Sequence, residues 1–189
     1  MEIEVKFAVP DATDLTRRLL AAGFHEETPR TFERNTLFDT EDRRLRAQQS
    51  ILRVRRYGLR WVVTHKCLPP NHNPEARHKH REETETVVAD GEAMGHIFTR
   101  LGYAPAFVYE KWRTEFSDGT GHCVLDETPI GCYAELEGPP GWIDQAGHRI
   151  GVDHSRFITL SYGRLFEQWR KETGSRAENL TFAEIPAQS

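Results

Sequence analysis

The residues of this chain that could do chemistry recur in sets spaced by two. Glu2, Glu4 and Lys6 alternate with Ile3, Val5 and Phe7, Arg53 and Arg55 alternate with Leu52 and Val54, and Thr64 and Lys66 stand against Val63. Arg81, Glu83 and Glu85 keep the same rhythm, Lys111 and Arg113 flank Trp112, Asp126 sits between Leu125 and Glu127, and Glu135 and Glu137 flank Leu136. A period of two is that of a β-strand, so each set points to one side of its strand. The basic set is Lys6, Arg53, Arg55, Lys66, Arg81, Lys111 and Arg113; the acidic set is Glu2, Glu4, Glu83, Glu85, Asp126, Glu135 and Glu137. Guanidinium forks match phosphate oxygens two at a time, and lysine adds point charge. Carboxylate oxygens are the ligands that Mg²⁺ and Mn²⁺ prefer. Bases for a polyanion beside acids for a hard cation describe a site for a polyphosphate or a nucleotide with divalent metal. No G-x-x-x-x-G-K-[ST] segment is present, so a P-loop does not hold the phosphates.

Such sets need strands to carry them. The alternation marks strands over 2–8, 51–57, 59–66, 81–88, 107–117, 123–127 and 132–137, with a long extended stretch at 28–39. Helices are expected from the Asp11 cap to Gly23, over 91–101 with Met94, Ile97, Phe98 and Leu101 on one side, and over 142–150 and 162–172; 42–48 reads as a short helix or turn. Residues 68–80 carry three prolines and no apolar period, which reads as a mobile loop. A polar outer sheet face is the ordinary reason for such alternation. Here the polar face is almost wholly ionic, Arg53/Arg55 and Lys111/Arg113 are purely basic, and Glu135/Glu137 are purely acidic. Helices of the right size are at hand to cover the apolar faces. The expected result is a sheet curled into a barrel with its ionic side inward. Seven bases in such a lumen repel one another until an anion enters, so Arg55→Ala or Lys111→Ala should spare the stability of the empty protein.

Composition narrows the partners. The 189 residues include 25 Lys and Arg against 29 Asp and Glu, a net charge of −4, which argues against binding nucleic acid through bulk positive charge. No apolar run reaches the roughly 18 residues of a membrane span, and the Met-Glu-Ile-Glu-Val-Lys start has no secretory h-region. Three cysteines without C-x-x-C spacing fit free thiols in a reducing cytoplasm. One domain is expected over 1–173, with a polar tail over 174–189 that frays.

Read together, these motifs resemble the CYTH superfamily, which includes class IV adenylate cyclases, thiamine triphosphatases and inorganic triphosphatases. Glu2-Ile-Glu-Val-Lys6 resembles its E-x-E-x-K signature, Leu52-Arg-Val-Arg55 its L-R-x-R strand, and Thr64-His-Lys66 its strand ending in an essential lysine. Arg81-Glu-Glu-Thr-Glu85 resembles R-x-E-x-E, Lys111-Trp-Arg113 resembles K-x-R, and Asp126 with Ala134-Glu-Leu-Glu137-Gly resembles the late Asp and E-x-E-G. Ser161-Tyr-Gly-Arg-Leu165 resembles the closing S-Y-x-x-L helix. The resemblance implies an α+β fold: a closed eight-stranded antiparallel β-barrel, a triphosphate tunnel, with helices packed outside. It implies that the seven bases bind a small-molecule triphosphate, that the seven acids hold one or two Mg²⁺ or Mn²⁺ ions, and that Lys66 is catalytic. The expected reaction is triphosphate hydrolysis by a monomer or homodimer, since hydrolysis needs only tunnel, metal and water. Conversion of ATP to cyclic AMP is the alternative, and non-catalytic binding of a polyphosphate a third reading. One residue departs from the family: Leu37 stands where the Y-F-D-T tyrosine would be, in Asn35-Thr-Leu-Phe-Asp39-Thr. Leu37 cannot orient a water or share a proton, so the family's tyrosine–lysine arrangement does not carry over through this position, although Lys66 remains.

Other residues receive plainer readings. His72, His78 and His80 near Cys67 match no zinc spacing. Cys123 and Cys132 are packed side chains, and the four tryptophans belong to core or wall. Arg164 and Arg170 are solvated unless the last helix closes the tunnel, in which case one of them reaches phosphate.

Overall fold

A computed structural model describes residues 2–71 and 79–186; for Glu2 and Lys79 it describes the backbone alone. Eight strands, β1 (Glu2–Val9), β2 (His25–Asp39), β3 (Ile51–Tyr57), β4 (Arg60–Cys67), β5 (Lys79–Val88), β6 (Ala104–Ser117), β7 (His122–Thr128) and β8 (Gly131–Glu137), close into an antiparallel barrel. Their order around the wall is β1-β5-β4-β3-β2-β6-β7-β8. The helices are α1 (Ala12–Ala21), α2 (Arg44–Ala47), α3 (Gly91–Arg100), α4 (Pro140–Arg149) and α5 (Tyr162–Thr173). Asp11, Asp90 and Ser161 cap α1, α3 and α5 with side-chain oxygens that accept from the first free N–H groups.

The alternation decides which side of each strand is buried, and by what. Phe116, Cys123, Leu136 and Val5 lie side by side across β6, β7, β8 and β1. All point outward and are buried with Leu15, Leu19, Ile143 and Ala146 of α1 and α4. The main apolar core therefore lies outside the barrel, and the ionic partners of these residues face the lumen. α3 makes a narrower contact. Gly91 rests on Trp61, Gly95 on Phe38, and Phe98 packs edge-on against Phe38. Ile97 and Leu101, expected to face the core, remain 49% and 68% exposed because the glycine stripe carries the contact. A Cβ on Gly91 would stand 2.2 Å from the Trp61 ring. Gly91→Ala is expected to destabilise the protein by about 1–3 kcal/mol, read from urea unfolding; a change within ~0.5 kcal/mol would remove α3 from the packing scheme.

β1 and β5 form one seam of the barrel. Among the described residues β1 pairs with β5 through Glu2 to Arg81, Ile3 to His80 and Glu4 to Lys79. Farther along, the free backbone edge of β1 is taken by Ile158, which exchanges two hydrogen bonds with Lys6. The chain then runs through α5 and returns to β6, where Leu180 bonds Val108 and Glu110 beyond the last β7 pair. α5 is thus tied at both ends to edges the strands leave open. Tyr109, Tyr162, Leu165, Phe166, Leu180 and Ile185 fill that end of the barrel. The segment after Gly174 does not fray as expected through residue 186: Leu180 is fully buried, the Asn179 side chain accepts from the Val108 N–H, and Glu184 accepts from two backbone N–H groups. Two apolar anchors in a polar tail suffice because β6 offers unpaired backbone groups. No described helix is long and apolar enough to cross a membrane.

Candidate active site

The barrel brings the segregated charges face to face. Lys6 of β1 pairs with Glu135 of β8, and Arg113 of β6 reaches Glu135 at 2.9 Å and both oxygens of Asp126 at 2.7 Å. Lys111 lies 2.8 Å from Asp126 and 3.4 Å from Glu33. Arg55 of β3 pairs with Glu85 at 3.1 Å and faces Glu33 at 3.9 Å. Arg53 donates to the Thr64 hydroxyl at 3.1 Å and the Tyr109 hydroxyl at 3.3 Å, with Glu83 and Glu85 each at 3.9 Å. Lys66 closes the row on Glu83 at 3.1 Å. The row runs unbroken from β1 and β8 to β4 and β5.

Six of the seven predicted bases and four of the predicted acids, Glu83, Glu85, Asp126 and Glu135, join this one network. Arg81 stands at the seam, opposite Glu2, and donates to the His80 carbonyl at 3.1 Å. Glu4 and Glu137 are direct neighbours across β1 and β8, one step from Lys6 and Glu135 on the same face, and each has contacts of its own. The Glu2 side chain and residues 72–78, with His72 and His78, lie outside the described residues.

One expectation is overturned. The lumen cations do not simply repel one another, because a carboxylate stands between almost every two of them. Lys111 is 3% exposed and Asp126 0%, so removing the lysine leaves a buried carboxylate without its charge partner and costs stability. Four further lumen residues were not singled out from the sequence: Glu33, Asn35, Tyr109 and Tyr162. Glu33 and Asn35 share the period of two, but β2 carries polar residues on both faces (Arg34 and Thr36 as well), which conceals its inward side. Tyr162 begins α5. Its hydroxyl donates to Asp126 at 2.6 Å, and its ring lies 4.2 Å from the Lys6 ammonium and 4.8 Å from that of Lys111. α5 does close the tunnel, but through this tyrosine. Arg164 pairs with Glu167, and Arg170 lies over Phe166 and reaches the Ser175 carbonyl. Leu37 packs with the aromatic cluster at the same end.

The network fixes its own charges. Burial alone would raise the Glu33 pKa, yet Lys111, Arg113, Arg55 and Arg53 outweigh it and hold the carboxyl at about 2. Burial is likewise outweighed at Glu135, where Lys6, Arg113 and Lys111 keep the carboxyl well below its ordinary value. Lys111 is pushed down by burial and by Arg113, but Asp126, Glu33 and Glu135 carry it above the usual lysine range. Burial, then Asp126 and Glu135, push the Tyr162 phenol up, so it remains a donor. Burial raises the Cys123 and Cys132 thiols, which accords with packed cysteines.

The acids fit a divalent cation in chemistry. Glu4, Glu137 and Glu135 offer only oxygen donors from adjoining positions of β1 and β8, and two carboxylates placed directly opposite are unfavourable without nearby positive charge. They do not form a ready cage: among the described residues no three acids, histidines or cysteines converge. Glu135 must leave Lys6 and Arg113 to join one. A separate surface groove of ≈ 540 Å³, lined in part by Thr40, Asp42, Arg44 and Leu101, receives none of the predicted residues.

Comparison with known proteins agrees with this geometry. A protein of Methanocaldococcus jannaschii provisionally named an adenylate cyclase is 27% identical over 138 residues, covering 72% of this chain and 76% of that protein. A Vibrio parahaemolyticus structure provisionally named an adenylate cyclase superposes with a TM-score of 0.76 at 16% identity, over 88% of this chain and 97% of that one. A Hippeastrum protein, provisionally named an adenylyl cyclase and described as having a dominant triphosphatase activity, superposes with a TM-score of 0.61 at 20% identity, over 89% and 96%. Residues 1–143 match the CYTH domain, and the chain belongs to that family.

Proposed function

We propose that the protein is a divalent-metal-dependent triphosphatase acting on an inorganic or organic triphosphate such as tripolyphosphate, thiamine triphosphate or a nucleoside triphosphate. The observation that carries this reading is the unbroken row of cations on the lumen wall, each held in place by a carboxylate that a polyanion can displace. Lys6, Arg53, Arg55, Lys66, Arg81, Lys111 and Arg113 take the phosphoryl oxygens. Glu2, Glu4, Glu83, Glu85, Asp126, Glu135 and Glu137 are thereby freed to hold Mg²⁺ or Mn²⁺. The metal, when bound, neutralises charge on the phosphoryl oxygens. Lys66 is the catalytic base or charge donor at the attacked phosphoryl group; Leu37 leaves it without a tyrosine from β2. The chain positions and neutralises, which is most of what phosphoryl transfer requires. The protein works on a small molecule in the cytoplasm, as a monomer or homodimer, without nucleic acid or membrane.

Two observations favour hydrolysis. The α5 end of the lumen is filled by Tyr109, Tyr162, Phe107 and Phe166, which stack in succession and leave a nucleoside no bed there. The Hippeastrum relative, named for cyclase activity, is described as a triphosphatase first. The Methanocaldococcus relative keeps the cyclase as the second reading. Incubation with Mg²⁺ or Mn²⁺ and either tripolyphosphate, ATP or thiamine triphosphate tests both. Orthophosphate without cyclic nucleotide is the expected product. Cyclic AMP with equimolar pyrophosphate would replace the first reading with the second, and tight binding without product would make the protein a triphosphate sensor.

A further inference from the structure

Buried polar atoms without partners are rare in folded proteins, and each asks for an explanation. Among the described residues, five such atoms share one wall of the lumen: Glu33 Oε2 and Asn35 Oδ1 on β2, and Arg53 Nε, Arg55 Nε and the Tyr57 hydroxyl on β3. Asn35 and Arg55 are direct neighbours in the register, and Glu33 is one step along the same face. The set is two charged donors, two acceptors and one phenol, and the phenol, opposite Glu33 in the register, is drawn to Glu115 instead. Phosphoryl oxygens only accept, so they satisfy the arginines and leave the two acceptors wanting.

The two acceptors are built in. Glu33 is 1% exposed and Asn35 0%, and an unsatisfied buried acceptor costs about 1–3 kcal/mol. The Asn35 amide donates from Nδ2 to Glu33 Oε1 at 2.8 Å. Turning the amide over would set two acceptors against each other, so Oδ1 is necessarily the free atom. Arg55 stands 3.9 Å from Glu33 Oε2, too far for a hydrogen bond. A second metal ion is a poor occupant, because the fields of Lys111, Arg113, Arg55 and Arg53 already converge on Glu33. What remains is a neutral donor.

We propose that Glu33 Oε2 and Asn35 Oδ1 seat the attacking O–H group, holding its hydrogens and turning its lone pair toward a phosphorus gripped by Arg53 and Arg55. The inference rests on the triphosphate-processing reading of the tunnel and names the residues that aim its nucleophile. The new O–P bond forms to the seated oxygen, and the bond from phosphorus to the bridging oxygen breaks. That oxygen keeps the electron pair and leaves with the departing phosphate, which also receives the nucleophile's proton. Glu33, ionised down to about pH 2, is too weak a base to retain that proton; it orients and does not abstract. The O–H group is water in a hydrolase, whose two hydrogens fill both acceptors, or a ribose hydroxyl in a cyclase, whose single hydrogen fills one.

Glu33→Gln keeps the shape and the bond from Asn35, but sets an N–H donor where Oε2 accepts. Assayed on tripolyphosphate with Mn²⁺, it is expected to lower kcat about a hundredfold, the scale of a misplaced reactant, with KM within about threefold of native. The double change Glu33→Gln with Asn35→Asp lets the new amide donate to the new carboxylate and again leaves two free acceptors. It is expected to recover kcat to within about tenfold of native. If Glu33 only balances the cations, Glu33→Gln instead lowers KM and leaves kcat unchanged. If the pair only supports the wall, kcat per folded molecule stays native and activity merely follows the folded fraction, whatever the fall in melting temperature. Either result overturns the proposal. Should the single variant fail to fold, the double variant decides, a hundredfold loss at native melting temperature counting against the seat. A parallel ATP arm identifies the donor, since Glu33→Gln depresses orthophosphate if it is water and cyclic AMP if it is the ribose. A native protein that binds triphosphate but forms no product defeats the enzyme reading and the seat together, whereas native turnover with unaffected variants defeats the seat alone.

Discussion

Asp126→Asn should destabilise the empty protein by about 3–5 kcal/mol, the cost of breaking a buried ion pair from one side. Asp126 is fully buried and accepts from Lys111, from two nitrogens of Arg113 and from the Tyr162 hydroxyl. An amide in its place keeps its oxygen for the three donors at Oδ2 and turns an N–H toward Arg113 Nε. Lys111 and Arg113 are then left with Glu33 and Glu135 as their carboxylates. Tyr162 also loses the acceptor that fixes α5 in the tunnel end, so the loss extends beyond the lumen. Urea unfolding of both proteins without phosphate measures it. Tripolyphosphate should then raise the melting temperature of the variant more than that of the native protein, because a polyanion supplies the missing charge. A loss under ~1 kcal/mol would mean that Asp126 is not the hub of the network.

The second large effect is acid lability. Glu33 has a folded pKa of about 2 against 4.5 for a free glutamate. A depressed carboxyl pKa contributes stability that is fully present above the unfolded value and is lost as pH falls through the folded one. The window is therefore pH 4.5 down to 2, and the loss from this residue is about 3 kcal/mol at about 1.4 kcal/mol per unit. Glu135 adds a loss in the same direction. Glutamine imitates a protonated glutamate, so Glu33→Gln should already lack this contribution at neutral pH. Stability curves of native protein and variant, taken from pH 7 to pH 2, should stand about 3 kcal/mol apart at the top and converge at the bottom. Parallel curves would show that Glu33 is not ionised among the cations.

Much of this architecture is local and can be read along the chain. Strand period, the capping residue Asp11, and the inward sets of charge are all properties of a few consecutive residues. The Ile51–Tyr57 and Glu2–Val9 strands were placed by that means, as was the inward side of Arg53, Arg55 and Lys6. β2 was not resolved into faces, because Arg34 and Thr36 look outward with as much polarity as Glu33 and Asn35 look inward. Arg34 is explained only by its pairing with Glu110, which itself accepts from Phe182 in the returning tail. No periodicity within β2 contains that information.

The sequence by itself determined the inward side of the charged sets such as Lys6, Arg53 and Arg55, and Lys111 and Arg113, and which chemistry they favour, since a side chain's direction on a strand follows from counting by two. Only the tertiary structure decided which charge meets which. Lys6 and Glu135 are 129 positions apart, and Arg113 and Glu135 are 22. Their meeting depends on the register and stagger with which eight strands close, and on α5 being tied down at Ile158 and Leu180. Because the pairing is set by closure, the empty tunnel is a lattice of satisfied ions instead of a field of repelling ones. The same closure buries Glu33 and Asn35 with acceptors to spare.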